Sequence, residues 1–169
     1  MQVEVAKLEV GQVLRAAFDE PLDSQHPEVV FDRSVVGDVE VARRARTLHL
    51  RARVATTAPM VCSRCLARYR HQFALSLEEA FAVVAPREPA GGELGPEDFV
   101  LPLGLDLVLD VGEVIRQHLL LAVPMVPLCA PACRGLCPQC GVNRNEQPCA
   151  CPERSDPRLE QFKALKVEG

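Results

Sequence analysis

Eight cysteines fall into four close pairs, Cys62 with Cys65, Cys129 with Cys133, Cys137 with Cys140, and Cys149 with Cys151. That pattern constrains the chain more than any other feature. In an oxidising compartment an even cysteine set reads as a disulfide framework, whereas in a reducing one it reads as metal ligation. Residues 1–15 include Glu4 and Glu9 and no apolar run, so no secretory signal is expected and the expected compartment is the cytoplasm. The apolar stretch Leu119 to Val126 is broken by Pro124 and falls well short of the roughly 20 residues a membrane helix needs. Metal ligation therefore comes first.

Two of the pairs, Cys62-Ser63-Arg64-Cys65 and Cys137-Pro138-Gln139-Cys140-Gly141, have the spacing of a knuckle, in which two thiolates two residues apart reach one tetrahedral ion. Gly141 then supplies the backbone freedom for the tight turn behind its pair. Eight thiols divide into two four-thiolate zinc sites. Taken in chain order these are Cys62, Cys65, Cys129 and Cys133, which would staple the tail to the body of the protein, and Cys137, Cys140, Cys149 and Cys151, a local finger dependent on its metal. Crossed pairings satisfy the same spacing. Iron–sulfur ligation uses the same thiolates, but nothing else in the chain suggests electron transfer. A redox-active C-x-x-C belongs at a helix N-terminus after a strand, and neither pair is placed so. A catalytic zinc keeps an open position beside His or carboxylate ligands, which two complete thiolate sets do not offer. The sites read as structural.

The remainder of the chain reads as an α+β, β-rich domain: an antiparallel sheet or partly open barrel with one main helix and a C-terminal zinc-binding tail. Apolar residues alternate with polar ones in Val3 and Val5, in Leu14, Ala16 and Phe18, and in Val35, Val39 and Val41. The same period places Leu48, Leu50, Ala52 and Val54 inward on a strand from Thr47 to Ala58, and Tyr69, His71, Phe73, Leu75 and Leu77 inward on the next. These segments predict an antiparallel meander with one solvated face. Residues 85–98 are rich in Pro, Gly and acidic side chains and read as a loop. Asp110 with Glu113 has capping-box spacing and opens a helix over about 111–122, stopped by Pro124; Asp156 and Pro157 open a short terminal helix. The expected division is a core over 1–128 and a cysteine-rich tail over 129–169.

The net charge of −4 conceals an uneven distribution. Residues 33–71 hold nine Arg against Asp38 and Glu40, so one stretch is strongly basic. With one Tyr and no Trp, a platform of aromatics for stacking bases is poorly supplied. No Ser, His and Asp constellation, phosphate-cradling Gly loop or convergent carboxylate pair is recognisable, so no enzymatic activity is expected. His71 reads as a packed residue, and His118 belongs to no catalytic set.

The run from Leu121 through Pro124, Pro127 and Cys129, the segment Cys133-Arg134-Gly135-Leu136-Cys137 with Cys140-Gly141-Val142-Asn143-Arg144-Asn145, then Cys149-Ala150-Cys151, Asp156-Pro157-Arg158-Leu159 and the Cys62–Leu66 knuckle resemble the YceD family. The resemblance implies a role in accumulation or processing of large-subunit (23S) ribosomal RNA and in ribosome assembly, with that RNA, a pre-ribosomal particle or a large-subunit ribosomal protein as partner. With an RNA partner in view, Arg44, Arg51, Arg53, Arg64, Arg68 and Arg70 are expected to form one basic patch flanking the first cysteine site, since Arg clusters bind phosphate. The competing reading makes them the ordinary solvated face of a sheet. A second functional class is a protein-binding adaptor that holds a ribosomal protein or processing enzyme without touching RNA, using the terminal helix and the acidic loop residues Glu88, Glu93, Glu97 and Asp98.

Overall fold

Period-two alternation becomes a five-stranded open sheet because one set of alternate side chains has a helix to bury against. The computed structural model describes residues 1–25, 29–83, 100–104, 106–152 and 158. Strands β2 (Val13–Glu20), β3 (Val35–Arg43), β4 (Thr47–Val61) and β5 (Arg68–Ala82) run antiparallel in chain order, and the short β6 (Leu101–Pro102) adds to β5 in parallel. The meander expected from the sequence is present, extended by β2 and by this one parallel pairing. An open sheet, not a closed barrel, is the outcome.

A separate two-stranded ladder joins β1 (Gln2–Glu4) to β7 (Val108–Asp110). Val3 lies in that ladder, but Val5 leaves it for a 3-10 turn over Val5–Lys7, so the alternation expected there lasts only one strand. The one α-helix among the described residues, α1 (Val111–Leu121), starts where its cap predicts. Asp110 accepts a hydrogen bond from the Glu113 amide at 3.1 Å, satisfying one of the donors left free at a helix start. Its buried face, Val111, Ile115 and Leu119, meets Leu48, Leu50, Ala52, Val54, Phe73, Leu77 and Phe81 from the sheet, with Val3, Val5, Leu8 and Leu109 closing the side. The core is mostly aliphatic, with Phe18, Phe73 and Phe81 as its buried rings, as a chain poor in aromatics must make it.

Two details fit the long β4–β5 hairpin to its neighbours. Thr56 is buried among apolar neighbours, and its hydroxyl donates to the Arg33 carbonyl at 3.1 Å, so the polar atom is not orphaned. Gly37 sits opposite Val54 where β3 presses on β4; a Cβ there would lie 2.0 Å from the Arg53 carbonyl oxygen, which only glycine avoids. Beyond the core an edge-on series of rings, Phe31 to Phe73, Phe73 to His71 and His71 to Tyr69, follows the arm toward its tip. His71 is a packed residue in that series. The expected acidic loop surface and terminal helix fall outside the described residues.

Candidate metal centre

Both knuckles fold by the same backbone rules. The Leu66 amide donates to the Cys62 carbonyl at 3.0 Å and the Cys62 amide to the Ala67 carbonyl at 2.9 Å; the Gly141 amide donates to Cys137 at 2.9 Å and the Cys137 amide to Val142 at 2.8 Å. Each turn requires a left-handed residue directly after its second cysteine. That residue is Gly141 at φ 73° in one knuckle and Leu66 at φ 58° in the other.

The first knuckle is the tip of the β4–β5 arm, and the tail comes to meet it. The Ser63 amide donates to the Pro127 carbonyl at 2.8 Å, the Leu136 amide to the Arg64 carbonyl at 3.0 Å, and Arg64 Nη1 to the Cys133 carbonyl at 3.0 Å. Cys129 and Cys133 are thereby set beside Cys62 and Cys65, with sulfur separations of 3.7 Å (Cys62 to Cys133) and 3.6 Å (Cys65 to Cys129). The second group closes over Cys137, Cys140, Cys149 and Cys151, with Cys137 to Cys149 at 3.3 Å and Cys140 to Cys149 at 3.5 Å. The eight thiols thus group in chain order, and within each group the ligand atoms all lie within 4.8 Å of one another.

These separations suit a shared cation. A tetrahedron with metal–sulfur bonds of about 2.3 Å holds its thiolates about 3.8 Å apart, whereas a disulfide draws two sulfurs to about 2 Å. All eight cysteines are free thiols. Electrostatics point the same way. Amides of Cys65 and Cys129, and less strongly Arg64, donate to Cys62 and hold its thiol down to about 6. Amides of Cys140 and Gln139, together with the Cys149 thiol, bring Cys137 to about 6. The reverse holds for one other member of each group. Cys129 is pushed up to about 12, chiefly by Cys65 and then by burial, and Cys151 to about 12 by Cys149 and Cys140. Four thiols in each group ionise together only when a cation joins them.

The groups differ in surroundings. Cys62, Cys65 and Cys133 are buried with Ala67, Tyr69 and Leu128 packed against them, while in the second group Cys140 is exposed and Cys149 and Cys151 are half-buried. Tyr69 presents a buried hydroxyl without a hydrogen-bond partner among the described residues; its ionisation is suppressed first by burial and then by the Cys62 and Cys129 charges. One residue not singled out by spacing supports the first group. Asn145 Nδ2 donates to Cys133 Sγ at 3.3 Å, and its Oδ1 accepts the Arg134 amide at 2.7 Å. Its sequence signal is faint, an amide side chain between the second knuckle and Cys149.

The six arginines expected as one patch are not brought together. Arg51 pairs across the sheet with Glu78 and Arg53 with Ser76, whereas Arg68 pairs with Val61 and Arg70 with Pro59. At about 3.3 Å per residue, Arg51 and Arg68 stand roughly 33 Å apart along the arm, and Arg53 and Arg70 roughly 20 Å. Arg44 lies at the turn before β4, roughly 45 Å from the knuckle that carries Arg64. The reason is register. Alternation places Arg51, Arg53, Arg68 and Arg70 on the outer face, but the hairpin turns only after Val61, so residues close to the knuckle in sequence on one strand are far from the others in space.

The outer face is charge-balanced instead. Arg15, Glu40, Arg51 and Glu78 occupy one rung across four strands, with Arg15 to Glu40 and Arg51 to Glu78 ion pairs of 2.7 Å each. Arg70 pairs with Asp32 at 3.1 Å. Such exposed pairs contribute little stability, about 0–1 kcal/mol, but they neutralise the surface expected to be basic.

With this geometry in hand, the chain can be set beside known proteins. The family described as large ribosomal RNA subunit accumulation protein YceD matches residues 50–166, a span that contains all but the first three residues of β4, together with β5, α1 and all eight cysteines. The chain belongs to this family. YceD membership thus covers both cysteine groups and leaves β1 to β3 outside the matched span. Uncharacterised proteins of Mycobacterium bovis and of two Mycobacterium tuberculosis strains are each 31% identical over 132 residues, covering 77% of this chain. The chain spans 62% of the length of these relatives. No solved structure matches it. No helix among the described residues is long and apolar enough to cross a membrane.

Proposed function

We propose that this chain is a non-enzymatic, zinc-stapled factor that supports accumulation of large-subunit ribosomal RNA in the cytoplasm, acting on that RNA or on a pre-ribosomal particle. The observation that carries the reading is the YceD match over residues 50–166, because the matched span contains the two four-cysteine groups that dominate the site. In this reading a core over residues 1–128 presents the hairpin arm, and the tail over 129–169 is fastened to it by a first zinc ion on Cys62, Cys65, Cys129 and Cys133. A second zinc on Cys137, Cys140, Cys149 and Cys151 orders the rest of the tail. Zinc supplies charge neutralisation and a tetrahedral anchor, and no step of chemistry is required of it.

The adaptor reading is kept for one observation. Leu121, Met125 and Val126 leave large apolar side chains exposed at the end of α1 and in the strap leading to Cys129, a feature that also suits a protein partner. Depletion of the protein in its native cell should lower the ratio of large- to small-subunit ribosomal RNA, with rescue by the wild-type chain and not by Cys62→Ser. An unchanged ratio would overturn the reading. Ultraviolet crosslinking in the same cells separates direct RNA contact from action through a protein.

A further inference from the structure

The tip of the arm differs from the sheet face in how its cations are matched. Leu136 bonds the Arg64 carbonyl and Arg144 bonds the Gly135 carbonyl, each at 3.0 Å, so the backbones of Arg64, Arg134 and Arg144 converge on one end of the molecule. Arg68 stands at the base of the same knuckle. None of these four forms an ion pair among the described residues, whereas Arg15, Arg51, Arg70 and Arg116 each hold a carboxylate. Glu146 is the one acidic residue in 129–152, and its carboxylate accepts from Asn143.

A filled four-thiolate zinc site is formally dianionic, which must be set against these cations. Arg64, with its guanidinium on the Cys133 carbonyl, is placed to offset the first site. Arg68, Arg134 and Arg144 remain exposed. Beside them the strap is held to the knuckle through Ser63 and Pro127, with Met125 fully exposed, Val126 62% exposed and Leu66 63% exposed. Unpaired arginines next to protruding aliphatic side chains suit a nucleic acid: the guanidinium forks take phosphate oxygens, and the aliphatic groups meet the faces of unpaired bases.

We propose that the metal-bound tip, through Arg68, Arg134 and Arg144 with Met125 and Leu66, is the surface that engages RNA, and that Arg51 and Arg53 in the middle of the sheet face do not. This rests on the RNA-directed reading above and assigns it a place. The test uses the full zinc-loaded chain and large-subunit ribosomal RNA fragments containing unpaired loops, with affinity measured across a salt series. Arg134→Ala with Arg144→Ala should weaken binding at least tenfold and reduce the slope of log affinity against log salt by about 1.5, the loss of two phosphate contacts. Met125→Glu, at a position too exposed to disturb the core, should weaken it at least fivefold, while Arg51→Ala with Arg53→Ala should stay within twofold. Loss in the sheet-face variant with full binding by both tip variants would overturn the assignment and leave the RNA reading standing. Absence of RNA binding by the wild-type chain, including a result in which it binds only a ribosomal protein, would overturn both.

Discussion

The two cysteine groups use one local design for two structural purposes. Their knuckles have matching hydrogen bonds and matching thiol electrostatics, with one cysteine in each at about 6 and another at about 12. Yet the first joins residues 64 and 71 positions apart, with three of its four cysteines buried, and the second spans 9 and 12 positions close to the surface. Crosslinking 64 residues restricts the unfolded chain by about 1.7 kcal/mol more than crosslinking 9, by loop entropy alone. Burial adds to that difference, since Cys62, Cys65 and Cys133 adjoin Tyr69 at the end of the ring series from the core. Ligand chemistry is shared, so the difference lies in what each ion would tie together.

The largest expected effect breaks this comparison directly. Cys62→Ser leaves three thiols, two of them buried, around an incomplete site and should destabilise the whole fold by about 3 kcal/mol or more, a fall in thermal midpoint of about 10 °C. Cys149→Ser should lower the zinc count from two to one per chain and shift the midpoint by no more than about 2 °C. Thermal melts with metal analysis check both. A chelator at neutral pH should likewise remove the second ion first, and equal global unfolding by the two variants would refute the division of labour.

A smaller effect is expected at the contact between tail and arm. Gly135 has φ +70°, and a Cβ there would lie 3.0 Å from the Arg64 carbonyl oxygen that Leu136 uses. Gly135→Ala should cost about 1–3 kcal/mol by combining backbone strain with that crowding. The matching change Gly141→Ala meets no atom of the described residues within 4 Å and carries only the backbone cost. Melts of the two variants should therefore differ, with Gly135→Ala the less stable.

The same two principles explain what could be read from the sequence. Period two revealed the faces of β3, β4 and β5, because Val39, Leu50 and Phe73 must bury while their neighbours need not. Cysteine spacing gave the knuckles, and chain order was one of several allowed groupings that the Ser63–Pro127 and Arg64–Leu136 bonds make geometrically simple. Alternation identifies a face but carries no register. Arg51 and Arg68 therefore looked like neighbours although Glu78 is the residue opposite Arg51, and the acidic rung partners Glu40 and Glu78 were legible only once the strands were aligned. Arg134 and Arg144 were hidden for the complementary reason: their proximity to Arg64 comes from tertiary bonds to Gly135 and Leu136.

The finest contrast is a single side chain. Leu66 and Gly141 hold the same left-handed position, but a leucine pays for it in backbone strain of about 1–2 kcal/mol and leaves its side chain 63% exposed, with little burial in return. Leu66→Gly should remove that strain while adding unfolded-state entropy of about 0.5–1 kcal/mol, so the net change in stability should lie within about 1 kcal/mol of zero. If the leucine is retained for contact with a partner, the variant should keep its zinc and its melting point but bind RNA more weakly. A marked loss of stability would instead show that Leu66 supports the first knuckle, and the strain would then belong to the staple and not to the surface.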